Sequence, residues 1–216
     1  MMRHVIIFTR AARLGTVKRR LAADIGQLAA LRFHNAMQAQ LARDIATDTR
    51  WKIWLALTPD IRAGNRLFYG ADILAQGQGD LGQRMARCFR ALPPGPAVLI
   101  GSDIPDISRQ HIARAFSELG KHDAVFGPAS DGGYWLVGLK RLRRLGGPQA
   151  KTLFTGVRWS SPHALSDTCK AIGPGARIGY TQSLSDIDNA ADYFHWRRLC
   201  SSRRGMISTK LQGRNL

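Results

Sequence analysis

Five short stretches carry side chains able to do chemistry. Residues 76–85 read QGQGDLGQRM, with Gly77, Gly79 and Gly82 spaced G-x-G-x-x-G and Asp103 lying 21 residues beyond the last glycine. That is the pattern of a dinucleotide-binding turn, whose glycines admit a pyrophosphate and whose later acid binds a ribose. A glycine-rich turn with Asp80 capping the next helix through Gln83 accounts for the same residues. In GTVKRRL, Gly15 precedes Lys18, Arg19 and Arg20 at a helix start, where backbone N–H groups and cations suit a phosphate; a solvated basic turn would read the same. GSDIPDI sets Asp103 and Asp106 on either side of Pro105. A carboxylate there can hold Mg²⁺ or Mn²⁺ against a diphosphate, or a polar residue there can cap the following helix, a task that suits Ser108 better than Asp103. GPASDGGYWLVGL places Asp131 before Gly132, Gly133 and Tyr134, either a tight turn close to a ligand or a plain hairpin. SLSDIDNAADY clusters Asp186, Asp188 and Asp192, more acids than one helix cap needs.

The elements between these stretches must position them. HVIIF reads as a buried first strand and KIWLAL as a second. Leu28, Leu31, Met37, Leu41 and Ile45 recur at helical spacing through Ala46. The apolar run ADILAQ is weak. RMARCFRAL, SRQHIARAFSEL and SPHALSDTCKAI read as helices, DAVFGPASDGGYWLVGL as two strands around a turn, ARIGYTQSL as a strand, and the residues after SDIDN as a last helix. Strands alternating with helices predict an α/β fold, a mostly parallel sheet covered on both faces. In such sheets ligands bind beyond the carboxyl ends of the strands. Those ends are Arg10 to Arg20, Gln76 to Gly82, Ser102 to Asp106, Pro128 to Gly133 and Ser185 to Asn189. The dinucleotide fingerprint belongs in the first strand-to-helix turn, whereas QGQGDLG follows at least two strands.

The chain has 216 residues, and its 44% hydrophobic and 22% charged content is that of a globular protein, predicting a single domain over residues 1–199. The net charge of +17 favours anionic partners. No acid follows Asp192, and residues 200–216 read as a basic, flexible tail. Nucleic-acid binding is the rival reading of the charge, but no RNP-like aromatic motif, helix-turn-helix or zinc spacing supports it. Cys88, Cys169 and Cys200 are odd in number and widely spaced, which predicts a reducing, cytoplasmic setting. No apolar run approaches the length of a membrane span. The six histidines show no metal-ligand spacing, and Ser102 and Ser130 lie in no hydrolase motif.

Taken in order, FTRAARLGTVKRRL, QGQGDLGQRM, VLIGSDIP, VFGPASDGGYWLVGL, LFTGVRWSSPHAL and LSDIDNAAD resemble the DUF2064 family of predicted glycosyltransferases, over about Val5 to Asp192. These are also described as transferases associated with radical-SAM and selenium-domain proteins. That family is similar in fold to the GT-A nucleotide-sugar transferases and to the MobA-like and 2-phospholactate guanylyltransferase nucleotidyltransferases. The resemblance implies a three-layer α/β/α sandwich and a metal-dependent transferase using a nucleotide-activated donor, with nucleotidyl transfer as the alternative to glycosyl transfer.

It also implies roles residue by residue. Arg10, Gly15, Lys18 and Arg20 would bind nucleotide phosphates, and Gln76, Gly77, Gly79 and Asp80 would approach the base. Asp103 and Asp188 would hold Mg²⁺ or Mn²⁺, while Asp131, Gly132, Gly133 and Tyr134 would face the sugar or a small acceptor. Lys18, Asp103 and Asp131 are the implied catalytic residues. The sequence departs from the family's first motif at Arg10 for Lys, Ala12 and Leu14 for prolines, and Arg19 for Thr, which loosens the loop and alters its phosphate geometry.

Overall fold

Along β1 (His4–Arg10), Val5 and Ile7 enter one hydrophobic cluster and Ile6 enters another, so a single strand feeds two cores through the period-two alternation of its side chains. The computed structural model describes residues 1–59, 68, 70–141 and 153–212, the side chains of 202–212 excepted. The same division recurs in β2 (Lys52–Thr58), where Ile53, Leu55 and Leu57 face the first cluster and Trp54 and Ala56 the second. With β3 (Asp72–Ala75), β4 (Ala97–Gly101), β5 (Ala124–Pro128), β6 (Tyr134–Leu139) and β7 (Ile178–Tyr180) they form a seven-stranded sheet in the order β3-β2-β1-β4-β6-β5-β7. Within it only β6 runs antiparallel, pairing with both β4 and β5. The weak run ADILAQ forms the edge strand β3, where burying Leu74 alone suffices.

Helices cover both faces, giving the expected α/β/α layering. α2 (Gln27–Leu41) and α4 (Arg109–Leu119) lie on one side, and α3 (Leu81–Ala91) and α5 (Ala164–Ile172) on the other. The helix predicted through Ala46 is α-helical only to Leu41 and continues as a π-helical turn over Ala42–Ala46. α6 (Ala190–Gln212) runs beyond Leu199, where a tail was expected. No proline interrupts it, so nothing in the chain forces a stop there; residues 213–216 lie outside the described residues.

A third cluster forms the platform behind the loop after β1. Leu21 of α1 (Arg19–Ile25), Ala30, Phe33 and Met37 of α2, and Ile187 pack together, and Phe33 meets the Tyr193 and Trp196 rings of α6 edge-on at 5.2 and 5.4 Å. This anchors the segment that bears Asp186 and Asp188 over the first loop, although some 170 residues separate them.

Gly82, the last glycine of the G-x-G-x-x-G spacing, lies inside α3. A Cβ there would stand 2.6 Å from the Phe154 Cβ and 2.8 Å from the Trp159 Cζ2, so the residue is the contact point between α3 and the 153–161 segment. We expect Gly82→Ala to destabilise the protein by about 1–2 kcal/mol, overpacking outweighing the gain in helix propensity. Urea unfolding of the variant against the wild type measures this.

Candidate active site

The carboxyl ends of β1, β2, β3 and β4 surround a cavity of about 480 Å³. Its floor is a buried polar network. The Ser102 hydroxyl donates to the Thr9 hydroxyl at 2.7 Å, and the Gln38 amide donates to the same oxygen at 3.1 Å. The Gln76 amide donates to the carbonyls of Thr9 and Ala56 at 3.0 and 2.8 Å, while its own oxygen accepts from Arg84. These polar groups are buried, and burial makes each costly to leave unpaired. Gln76 lines the cavity, but its amide is committed to joining β1, β2 and α3.

Lys18 stands at the centre of the site. It caps α1 in the left-handed conformation (φ 48°, ψ 47°), a strained position of a kind that concentrates at functional sites. Its side chain is 3% exposed. The ammonium donates to the Ile187 carbonyl at 2.7 Å and lies 3.2 Å from Asp103 Oδ2 and 3.9 Å from Asp188 Oδ1. Asp188 is also paired with Arg20 at 3.0 Å. Residues from the first loop, the end of β4 and the late acidic segment thus meet on one nitrogen. Lys18 is already satisfied by these partners. The other cationic side chains lining the cavity are Arg10, Arg19, Arg20, which pairs with Asp188, and Arg84, which donates to Gln76. Arg19, a departure from the family motif, supplies one of them. α1 has only seven residues, so charge for a phosphate comes from side chains more than from helix ends.

Sequence reasoning missed His34, which is buried on α2. Its ring lies 3.8 Å from Asp103 Oδ1, with the Arg10 carbonyl 3.2 Å from its other nitrogen. A histidine on a helix away from any motif gave no signal. Burial works against ionisation of Asp103, but the neighbouring His34 ring and the Lys18 charge outweigh it and hold the carboxyl below its usual range. The opposite holds for Asp186, raised by burial and by the nearby charges of Asp188 and Asp131.

The remaining expected residues divide. Asp131, Gly133 and Tyr134 line a second cavity of about 340 Å³ that shares Phe8 and Asp103 with the first. Gly132 (φ +84°) packs its Cα against the Pro162 backbone and shapes the turn. Gly15 (φ +74°) bends the first loop without lining the cavity. Gly77, Gly79 and Asp80 are not brought to either cavity. A Cβ on Gly77 would strike the Arg87 guanidinium and one on Gly79 the Gln83 side chain, so these glycines admit side chains of α3. Asp80 caps α3: its carboxylate accepts from the Gln83 N–H at 2.8 Å, and Gln83 Oε1 accepts from the Asp80 N–H at 3.1 Å.

Asp103 and Asp188 suit a hard divalent cation in donor chemistry, both being carboxylates directed at a single cationic atom. Among the described residues no group of three His, Cys, Asp or Glu is placed to hold a metal, so substrate oxygens and water would complete the shell. The cation would share these carboxylates with Lys18.

This architecture is the nucleotide-diphospho-sugar transferase fold. The chain belongs to the family described as "Uncharacterized protein conserved in bacteria (DUF2064)", whose model matches residues 21–161. Lys18 and Arg20 lie just before the matched segment and Asp188 after it. The chain is similar to a protein of Desulfovibrio desulfuricans G20 designated "putative nucleotide-diphospho-sugar transferase", with a TM-score of 0.75 and 23% identity over 88% of this chain and 84% of that one. It is similar to 2-C-methyl-D-erythritol 4-phosphate cytidylyltransferase of Thermus thermophilus, with a TM-score of 0.55 and 16% identity over 92% of this chain and 98% of that one. A third similar structure is a Mycobacterium tuberculosis H37Rv protein in complex with manganese, with a TM-score of 0.52 and 17% identity over 94% and 100% of the two chains. No curated protein matches the chain in sequence. No helix among the described residues is long and apolar enough to cross a membrane.

Two measurements probe these assignments. Because the Asp103 carboxyl is held low, its ion pair contributes stability above the unfolded carboxyl value and loses it as pH falls through the folded one. The melting-temperature advantage of wild type over Asp103→Asn should therefore be full above about pH 5 and shrink below it. Asp80→Ala should cost about 1 kcal/mol in urea unfolding and leave nucleotide affinity unchanged, as loss of a cap predicts.

Proposed function

We propose that the chain is a metal-dependent transferase that takes a nucleotide-diphospho-sugar and passes its sugar to a small acceptor. One observation carries the reading. At the carboxyl end of the sheet, an arginine-walled cavity opens beside two carboxylates, Asp103 and Asp188, that meet on the Lys18 ammonium. In this reading Arg10, Arg19 and Arg20 bind the diphosphate through charge-assisted hydrogen bonds. Lys18 sets the spacing of Asp103 and Asp188, and His34 orients Asp103 from behind. Mg²⁺ or Mn²⁺ held by the two carboxylates would supply Lewis-acid stabilisation of the departing charge. The base end extends toward Thr58 and Gln76, which line the same cavity. The acceptor oxygen forms a bond to the anomeric carbon, and the bond from that carbon to the terminal phosphate oxygen breaks. The nucleoside diphosphate departs with the electron pair, and the acceptor proton passes to Asp131. The three free cysteines support a reducing, cytoplasmic setting.

A second reading, nucleotidyl transfer, is favoured by the likeness to a cytidylyltransferase. There an acceptor phosphate oxygen bonds to the α-phosphorus and pyrophosphate leaves. Assays for released nucleoside diphosphate against pyrophosphate separate the two.

A thermal-shift screen of nucleoside diphosphates and nucleotide sugars, with and without Mg²⁺ or Mn²⁺, tests the shared premise. A matching nucleotide at a hundred times its Kd should raise Tm by about 5–10 °C. Asp103→Asn should abolish the metal-dependent part of that rise. No shift from any nucleotide, or an unaltered one in the variant, would defeat the proposal.

A further inference from the structure

The cavity beside the nucleotide site differs from it in charge. Arg10, Lys18, Arg19, Arg20 and Arg84 line the first cavity. Among the described residues, the titratable groups lining the second are Asp103, Asp131, Asp186 and Tyr134, with no Lys, Arg or His. Burial raises the Tyr134 phenol, which stays protonated and neutral. The rest of the wall is largely apolar. The Trp159 and Tyr134 rings meet at 6.4 Å in a T-shaped contact, and Phe8, Leu81, Met85 and Val137 are among the side chains around them. The two spaces are continuous through Phe8 and Asp103, so a molecule in the second lies next to the phosphates of one in the first.

From this partition we infer that the second cavity receives a neutral or cationic, hydroxyl-bearing acceptor with an apolar or sugar-like face, and excludes phosphorylated acceptors. The inference rests on the nucleotide-activated transfer proposed above. A sugar ring or hydrocarbon face finds aromatic surface there, and an amine or hydroxyl finds carboxylates. A phosphate monoester would bring close to two negative charges into a partly enclosed space walled by carboxylates, where Coulomb repulsion is screened far less than in water. A divalent ion on Asp103 and Asp188 is already countered by the donor diphosphate, and no cationic side chain lines this cavity beside Asp131 and Asp186. The acceptor hydroxyl then forms the new bond to the sugar and releases its proton to Asp131, as written above. An acceptor that must lack phosphate favours glycosyl transfer over attack by a phosphate on a nucleotide.

The test splits a bacterial small-molecule extract on an anion exchanger at mildly alkaline pH. Each fraction is added to wild-type enzyme, divalent metal and the nucleotide sugar giving the largest thermal shift, and release of nucleoside diphosphate is followed. Stimulation by the unretained fraction, of neutral and cationic compounds, is the expected result. Trp159→Ala should reduce that stimulation about tenfold while the nucleotide thermal shift persists, which also reports that the variant is folded. Leu81→Lys, at the partly exposed rim, should extend activity to the retained, anionic fraction. Stimulation of the wild type by the retained fraction alone, or by neither fraction while the nucleotide shift is intact, overturns the inference. Absence of any nucleotide shift in the wild type would instead overturn the transferase reading on which it rests.

Discussion

A buried ammonium is costly unless it is paired and hydrogen-bonded, and the Lys18 nitrogen meets that condition with partners from two other parts of the chain. One is Asp103 at the end of β4, and the others are the Ile187 carbonyl and Asp188 just before α6. An ammonium has three N–H donors, and these three oxygens surround it. The αL backbone at Lys18 is tolerated because the same contacts hold it, and the backbone bond from Ile187 N–H to the Asp103 carbonyl at 3.4 Å closes the ring of contacts. Removing one partner would leave charge stranded, so the geometry that brings the two carboxylates together is also required for the fold in this region.

The platform that makes this arrangement possible is apolar. Ile187 and Leu21 are buried between α1, α2 and the start of α6, and the Phe33, Tyr193 and Trp196 rings fill the same layer. Packing energy supplied there fixes the acidic segment against the first loop, and electrostatics then sets its final position. Gln76, Gln38, Thr9 and Ser102 play the equivalent part beneath the cavity, satisfying polar groups at the strand ends so that the floor stays rigid.

The crevice is divided between a basic half and an acidic, aromatic half that meet at Asp103. A net charge of +17 spread over the chain does not predict such a boundary. It arises because the end of β1, the start of α1 and α3 deliver arginines to one side, while the β5–β6 turn and the segment before α6 deliver Asp131 and Asp186 to the other. Gly82 contributes by letting Trp159 approach α3, which places that ring on the wall of the acidic half.

Much of the fold could be read from residue order. The continuous apolar runs of β1 and β2, the helical spacing in α2, the Ser108 start of α4 and the hairpin around Asp131 depend on local rules, so local reading found them. The strand-end principle then directed attention to Lys18, Asp103, Asp131 and Asp188. Sequence also determined that the chain is strongly basic and that its motifs follow one family's order. What it left open were the choices between two local readings of the same residues. The glycines of QGQGDLG satisfied both a nucleotide turn and a helix cap, and only packing against Arg87, Gln83, Phe154 and Trp159 decided for the second. His34 had no motif to announce it, because its role comes from the pairing of α2 with the end of β4. Lys18 read as a phosphate ligand, whereas the carboxylates that occupy it are brought there by Ile187 and Leu21 packing across nearly the whole length of the chain. Local spacing determines which side chains are available, but long-range burial decides which of them meet.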